Sequence, residues 1–146
     1  MFKKSQLQGT LEALKKVKMA KIADKDFRNS LIKLHIFLLK EGKKFDADIE
    51  DLRTAHLSSY QDELNEVSAK QVALQNEKDE AKRKAIIDEL NAKTELLEVV
   101  KGFNKAVADL GNEEVTFEPL SADKFAEEYS DDYDAELMAE LMPIFE

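Results

Sequence analysis

An all-α fold is predicted by three features of this 146-residue chain. Charged residues make up 36 %, while Gly and Pro number only four and two, which is the composition of long solvated helices. Apolar residues recur at steps of three and four over most of the length, the period of an amphipathic helix. Only "NEEVTFEPLSADKF", residues 112–125, breaks that rhythm with a strand-like alternation. The architecture expected is a long antiparallel helical hairpin, flanked by a short N-terminal helix and short C-terminal helices, with one extended segment near 114–119. A single helical domain over 1–146 is expected, with an N-terminal helix and connector at 1–22, the hairpin at 24–111 and an acidic docking tail at 112–146.

The first helix is placed at about 5–18. Ser5 and Gln8 have capping-box spacing, and Leu7, Leu11, Leu14 and Val17 step by 4, 3 and 3. A connector follows, with Asp24 or Asp26 as N-cap of the next helix. From Phe27 a stripe runs through Leu31, Leu34, Leu38, Phe45, Ile49, Leu52, His56, Tyr60 and Leu64 to Val67. Gly42 lies in a gap of this stripe. Either it ends one helix, with Asp46 capping the next, or it sits inside one long, bent helix. The stripe keeps phase across the gap, which favours the long helix. Residues 68–82 lose the stripe and read as a solvated turn. Ile86, Leu90, Leu97, Val100, Phe103, Val107 and Leu110 restore it, and Gly111–Asn112 reads as a stop. A tip near Ala73–Leu74 sets Phe45 opposite Phe103 and Tyr60 opposite Ile87.

Val115 and Phe117 alternate with Thr116 and Glu118 until Pro119. A strand needs a partner for its backbone groups. Three arrangements are open: a strap lying on the hairpin, pairing with an extended N-terminus such as Met1–Lys4, or pairing with another chain. Ser121 is placed as the cap of a helix running to about Tyr129. Asp131 or Asp132 is placed as the cap of a last helix that ends at Pro143.

The net charge of −9 hides a gradient, with +8 over 1–44, −6 over 45–111 and −11 over 112–146. The tail also holds too many apolar residues for a disordered acidic segment. It is expected to dock near the Lys-rich N-terminal region, with apolar contacts supplying the energy and charge the orientation.

No Cys is present, so no disulfide framework or thiolate metal site is expected. "MFKKSQLQGT" lacks the apolar core of a secretory signal, and the longest apolar run, Ile36–Leu39, is far short of the ~20 residues that span a bilayer. A soluble cytoplasmic chain without a membrane partner is the expectation.

The stretch "LEALKKVKMAKIADKDFRNSLIKLHIFLLKEGKKFDADIEDLRTAHLSSY", followed by "EVTFEPLSADKF" and "LMAELMPIFE", resembles small tailed-phage and prophage helical proteins. The shared pattern is one of apolar spacings and caps, not reactive residues. The resemblance implies a phage or prophage origin, hence the cytoplasm of a bacterial host, and carries over no established activity.

His35 and His56, the only histidines, lie ~31 Å apart along a continuous helix and cannot share a metal. The carboxylate runs lack the Gly of a calcium loop, and no nucleophile or phosphate-loop motif is present. No enzymatic activity, metal or cofactor is expected. The leading function is a structural or assembly accessory protein acting through protein–protein contacts, with itself or with another protein. Its contact residues are placed at Val115, Phe117, Leu120, Tyr133, Leu137, Leu141 and Phe145. The alternative is a nucleic-acid-associated regulator. It would touch phosphates through Lys15, Lys16, Lys18, Lys21, Lys25 and Arg28, while the acidic tail mimics DNA or masks that face.

Overall fold

The computed structural model describes residues 1–129 and 134–145. Among them lie seven α-helices and one two-stranded sheet: β1 (Phe2–Lys3), α1 (Leu7–Lys16), α2 (Lys25–Leu57), α3 (Gln61–Asn76), α4 (Glu80–Asn91), α5 (Thr94–Gly111), β2 (Glu114–Val115), α6 (Ala122–Glu128) and α7 (Ala135–Leu141). Single 3₁₀ turns occupy Lys4–Gln6, Met19–Lys21, Ser58–Tyr60 and Met142–Ile144. The all-α class is the one the composition and periodicity predict. The chain forms two compact units, residues 1–48 with 108–146, and residues 49–107.

The first unit holds the core. Leu7, Leu14 and Val17 lie on one face of α1 or at its end, and all are buried. They pack with Leu31, Leu34 and Leu38 of α2, and with Leu137 and Leu141 of α7. Phe125 is the largest fully buried side chain and stacks on Tyr129, with ring centroids 5.2 Å apart. Each such side chain contributes about 1.5–3 kcal/mol relative to exposure. Caps set where these helices begin. Asp24 Oδ1 accepts from Phe27 N–H at 2.9 Å, Ser121 Oγ from Lys124 N–H at 3.2 Å, and Asp134 Oδ1 from Glu136 N–H at 2.9 Å. At the N-terminus Gln6 Oε1 accepts the Lys3 N–H at 2.8 Å, replacing the expected Ser5–Gln8 box. The last helix starts from Asp134. The expected caps Asp131 and Asp132 lie outside the described residues.

The extended segment finds its partner within the chain. β1 pairs antiparallel with β2, Phe2 opposite Val115 and Lys3 opposite Glu114. Further on, Leu120 N–H donates to the Ile144 carbonyl at 3.0 Å, and Leu120 bridges to Phe145. Residues 116–119 therefore form a strap fixed at both ends. Phe2 meets Phe117 edge-on at 5.2 Å.

Gly42 sits inside α2 and is buried, so the helix does not end there. A Cβ at Gly42 would stand 3.0 Å from Leu11 Cδ1, so the missing side chain is what lets α1 approach. Gly111 has the same role. It is the last residue of α5 without a positive φ, and a Cβ there would stand 3.3 Å from Ser5 Cβ. α5 stops at Gly111 as expected, with a close approach there rather than a left-handed cap.

The second unit is a helical hairpin whose register differs from the expected one. Helix persists through the region read as a solvated turn, and the connector is only residues 77–79. Asp79 caps α4 by accepting from Ala81 N–H at 2.9 Å and Lys82 N–H at 3.2 Å. Arg83 closes the tip by donating to the carbonyls of Leu74 at 2.7 Å and Glu77 at 2.9 Å. Moving the tip changes every partner. Tyr60 O–H donates to Glu95 at 3.1 Å instead of lying at Ile87. Phe103 meets His56, centroids 6.4 Å apart, with the Arg53 guanidinium 5.6 Å from its ring centre. Phe45 packs against the core of the first unit, so the expected Phe45–Phe103 pair is not made.

Candidate interaction surfaces

The hairpin unit is closed mostly by charge. Lys70 bonds Glu66 at 3.0 Å and Glu89 at 2.7 Å, and Lys93 reaches the same Glu66 at 3.2 Å. Hydrogen bonds donated by Lys70 and Lys93 lower the Glu66 carboxyl from its ordinary value, and those that Lys70 donates to Glu89, then Glu66, raise its ammonium. These groups are solvated, and such pairs contribute little. Apolar closure is thin. Among the hydrophobic side chains of this unit only Leu57 and Leu96 are buried, at 8 % and 4 % exposure. Leu64, Val67, Ile86, Leu90 and Val100 remain half-exposed. Val72, Leu97 and Ile87 stand out at 57 %, 53 % and 41 %. In the register set by Lys70 and Glu89, Val72 and Ile87 lie at the same level of the hairpin.

The contact residues placed in the tail are largely covered by the chain itself. Val115, Leu137, Leu141 and Phe145 are buried in the first unit's core, because α7 packs on α1 and β2 on β1. That corrects their assignment to an outside partner. Phe117, on the strap, and Leu120, at its end, stay half-buried. Tyr133 lies outside the described residues. The alternation of Val115 and Phe117 marked an extended element correctly but gave no sign of which surface would cover it.

Part of the Lys-rich set is drawn into contacts within the chain, Lys16 and Lys18 with the tail. Lys16 pairs with Glu140 at 3.2 Å, Lys18 N–H donates to Tyr129 Oη at 2.8 Å, and Arg28 Nη1 donates to the Ile22 carbonyl at 3.1 Å. Lys124 joins Asp24 and Glu128, each at 3.3 Å, and Glu128 also accepts the Asp24 N–H at 3.0 Å. The Phe27 N–H, then Lys124, lower the Asp24 carboxyl, and Asp24, then Glu128, raise Lys124. Lys15 lies close enough to His35 to help keep that imidazole neutral; burial is the larger cause. Lys21 also has an interaction within the chain, and Lys25 is exposed at the start of α2. This is not a uniform face of solvated cations.

A second surface was missed by sequence reasoning. The strap and the first half of α2 enclose a groove of about 530 Å³, walled by Phe27, Leu34 and Phe37 on one side and Phe117, Pro119 and Leu120 on the other. Ser30, Lys33, Thr116, Glu118 and Ser121 supply its polar groups. The spacing of Phe27, Ser30, Leu34 and Phe37 marks one flank of a helix, which was legible. That the strap would face it was not.

Among the described residues no group of three or more His, Cys, Asp or Glu side chains is placed to hold a metal ion, and no helix is long and apolar enough to cross a membrane. Comparison of the chain with protein-family models, with curated proteins and with solved structures found no match.

Proposed function

We propose that the chain is a non-enzymatic structural or assembly accessory protein that works by protein–protein contact, with the 49–107 hairpin as its contact element and a second copy as its first partner. The observation that carries this reading is the exposure of Val72, Ile87 and Leu97 on a hairpin that buries few of its apolar side chains. Two helices facing each other bury one stripe only, and a further helical layer is the usual cover. Residues 49–107 carry nine Lys or Arg and twelve Asp or Glu, so two copies meet without strong repulsion. The resemblance of the sequence pattern supports a phage or prophage origin and work in the host cytoplasm. The nucleic-acid reading has less support, because Lys16 and Arg28 are engaged within the chain.

Light scattering over a range of concentrations is the test. The expected result is a dimer or higher species at micromolar concentration. Val72→Glu with Ile87→Glu should shift it to monomer with the helix signal intact, since both side chains are exposed. A native chain that stays monomeric throughout overturns the proposal.

A further inference from the structure

The groove of the first unit has three properties that together describe a ligand. Its volume lies within the roughly 300–1,000 Å³ of ligand pockets, and Phe27, Leu34, Phe37, Phe117, Pro119 and Leu120 give its walls an apolar surface among a few polar groups. One wall is an extended strap held at both ends. Among the described residues, the backbone N–H groups of Thr116, Phe117 and Glu118 donate no hydrogen bond beyond the short β1–β2 pairing. A fixed, open, extended edge is what an added strand pairs with. The third property is charge. Lys33 lines the groove, and Lys40 and Lys44, exposed at i+7 and i+11 from it, continue the same flank of α2 beyond the groove's end at Phe37. Among the described residues none of the three has an ion pair. In a chain of net charge −9 this is a local cationic row about 16 Å long.

We propose that this groove docks an extended acidic segment of another protein, whose apolar side chains enter between Phe37 and Phe117 while its carboxylates run along Lys33, Lys40 and Lys44. Successive side chains of an extended segment point to opposite sides, so alternating apolar and acidic residues meet the two walls in turn. From Phe27 to Lys44 the site is about 26 Å long, the reach of about eight extended residues. A nucleic acid fits less well. Phe27, Leu34, Phe37 and Phe117 present apolar surface that suits side chains of a peptide rather than a phosphate backbone. The site is separate from the hairpin and does not depend on self-association.

The test is fluorescence anisotropy with the full chain and a labelled peptide of about eight residues, alternating Leu or Phe with Asp or Glu. Saturable binding is expected, weakening several-fold with added salt as exposed ion pairs are screened. Lys33→Glu, Lys40→Glu and Lys44→Glu together should weaken it roughly tenfold with circular dichroism unchanged. Phe37→Asp should do the same, because that side chain is already 36 % exposed and its replacement leaves the core intact. The variant Val72→Glu with Ile87→Glu should bind like the native chain, which separates this site from the hairpin's. The proposal is overturned by equal binding of a peptide with Lys in place of every acid, by no binding of the acidic peptide, or by displacement of the peptide by a single-stranded oligonucleotide.

Discussion

Four glycines illustrate how one residue type meets different demands. No glycine has a positive φ, so none is required for backbone freedom. At Gly9 a Cβ would meet nothing within 4 Å, and the site is solvated helix. Gly9→Ala should therefore raise stability by about 0.5–1 kcal/mol, through helix propensity alone. Gly42→Leu should lower it by about 1–3 kcal/mol, because Leu11 already lies against the missing Cβ. Urea unfolding of the two variants checks the contrast, and equal stability of Gly42→Leu and the native chain would refute the close approach. His35 Nε2 is the one buried side-chain polar atom left without a partner among the described residues. Burial first, then Lys15, lowers its pKa from the ordinary 6.5. A histidine lowered in the fold binds fewer protons there than in the unfolded chain. Its stabilising contribution is complete above about 6.5 and is lost as pH falls through the folded value. The native chain should lose stability as pH drops below about 6.5, and His35→Leu should flatten that slope. A slope unchanged by the substitution would assign the acid sensitivity to other groups.

Elements in this chain are joined by very short ties. Two residue pairs form the only sheet among the described residues, yet Phe2 is buried and meets Phe117 on the strap. Phe2→Ala should cost about 3–5 kcal/mol, as for a large core aromatic, and should also loosen the strap. An unchanged thermal midpoint would show that β1 is dispensable. The strap itself was legible, since Val115 and Phe117 alternate before a proline. Its partner was legible only as one of three arrangements, pairing with the N-terminus among them, because Phe2–Lys3 is too short to show any period. The long helices were legible from their stripes, but their breaks were not. The 3₁₀ turn at Ser58–Tyr60 and the break after Asn91 contain neither Gly nor Pro, and Tyr60 and Leu64 keep the helical phase across the first of them. The hairpin tip was misplaced for a related reason. Residues 68–76 are held in helix by local propensity and by Lys70 between Glu66 and Glu89, not by an apolar stripe. The groove needs two elements far apart in sequence, α2 and the strap, so no single window could contain it.

Across the whole molecule, burial is unevenly shared between the two units. The basic start and the acidic end are complementary, and their docking places Phe125, Leu137, Leu141 and Ile144 in the same core as Leu7, Leu14, Leu31 and Leu38. Ion pairs such as Lys16–Glu140 are exposed and add about 0–1 kcal/mol each, so apolar contact dominates there. The 49–107 unit has no comparable core, and its helices are tied by solvated lysine–glutamate pairs. Local opening free energies follow buried apolar contact, so the two units should exchange amide hydrogens at different rates. At nanomolar concentration, slow exchange is expected in α1, in the Leu31–Leu38 turns of α2 and in α7, with fast exchange in α3 and α4. At concentrations where the chain associates, α3 and α4 should gain protection while α1 and α7 change little, since binding stabilises only the segments it covers. Hydrogen–deuterium exchange followed by mass spectrometry reads both conditions on one sample series. Protection of α3 and α4 already complete at the lowest concentration would mean that the hairpin closes its own seam, and the case for it as the contact element would fall.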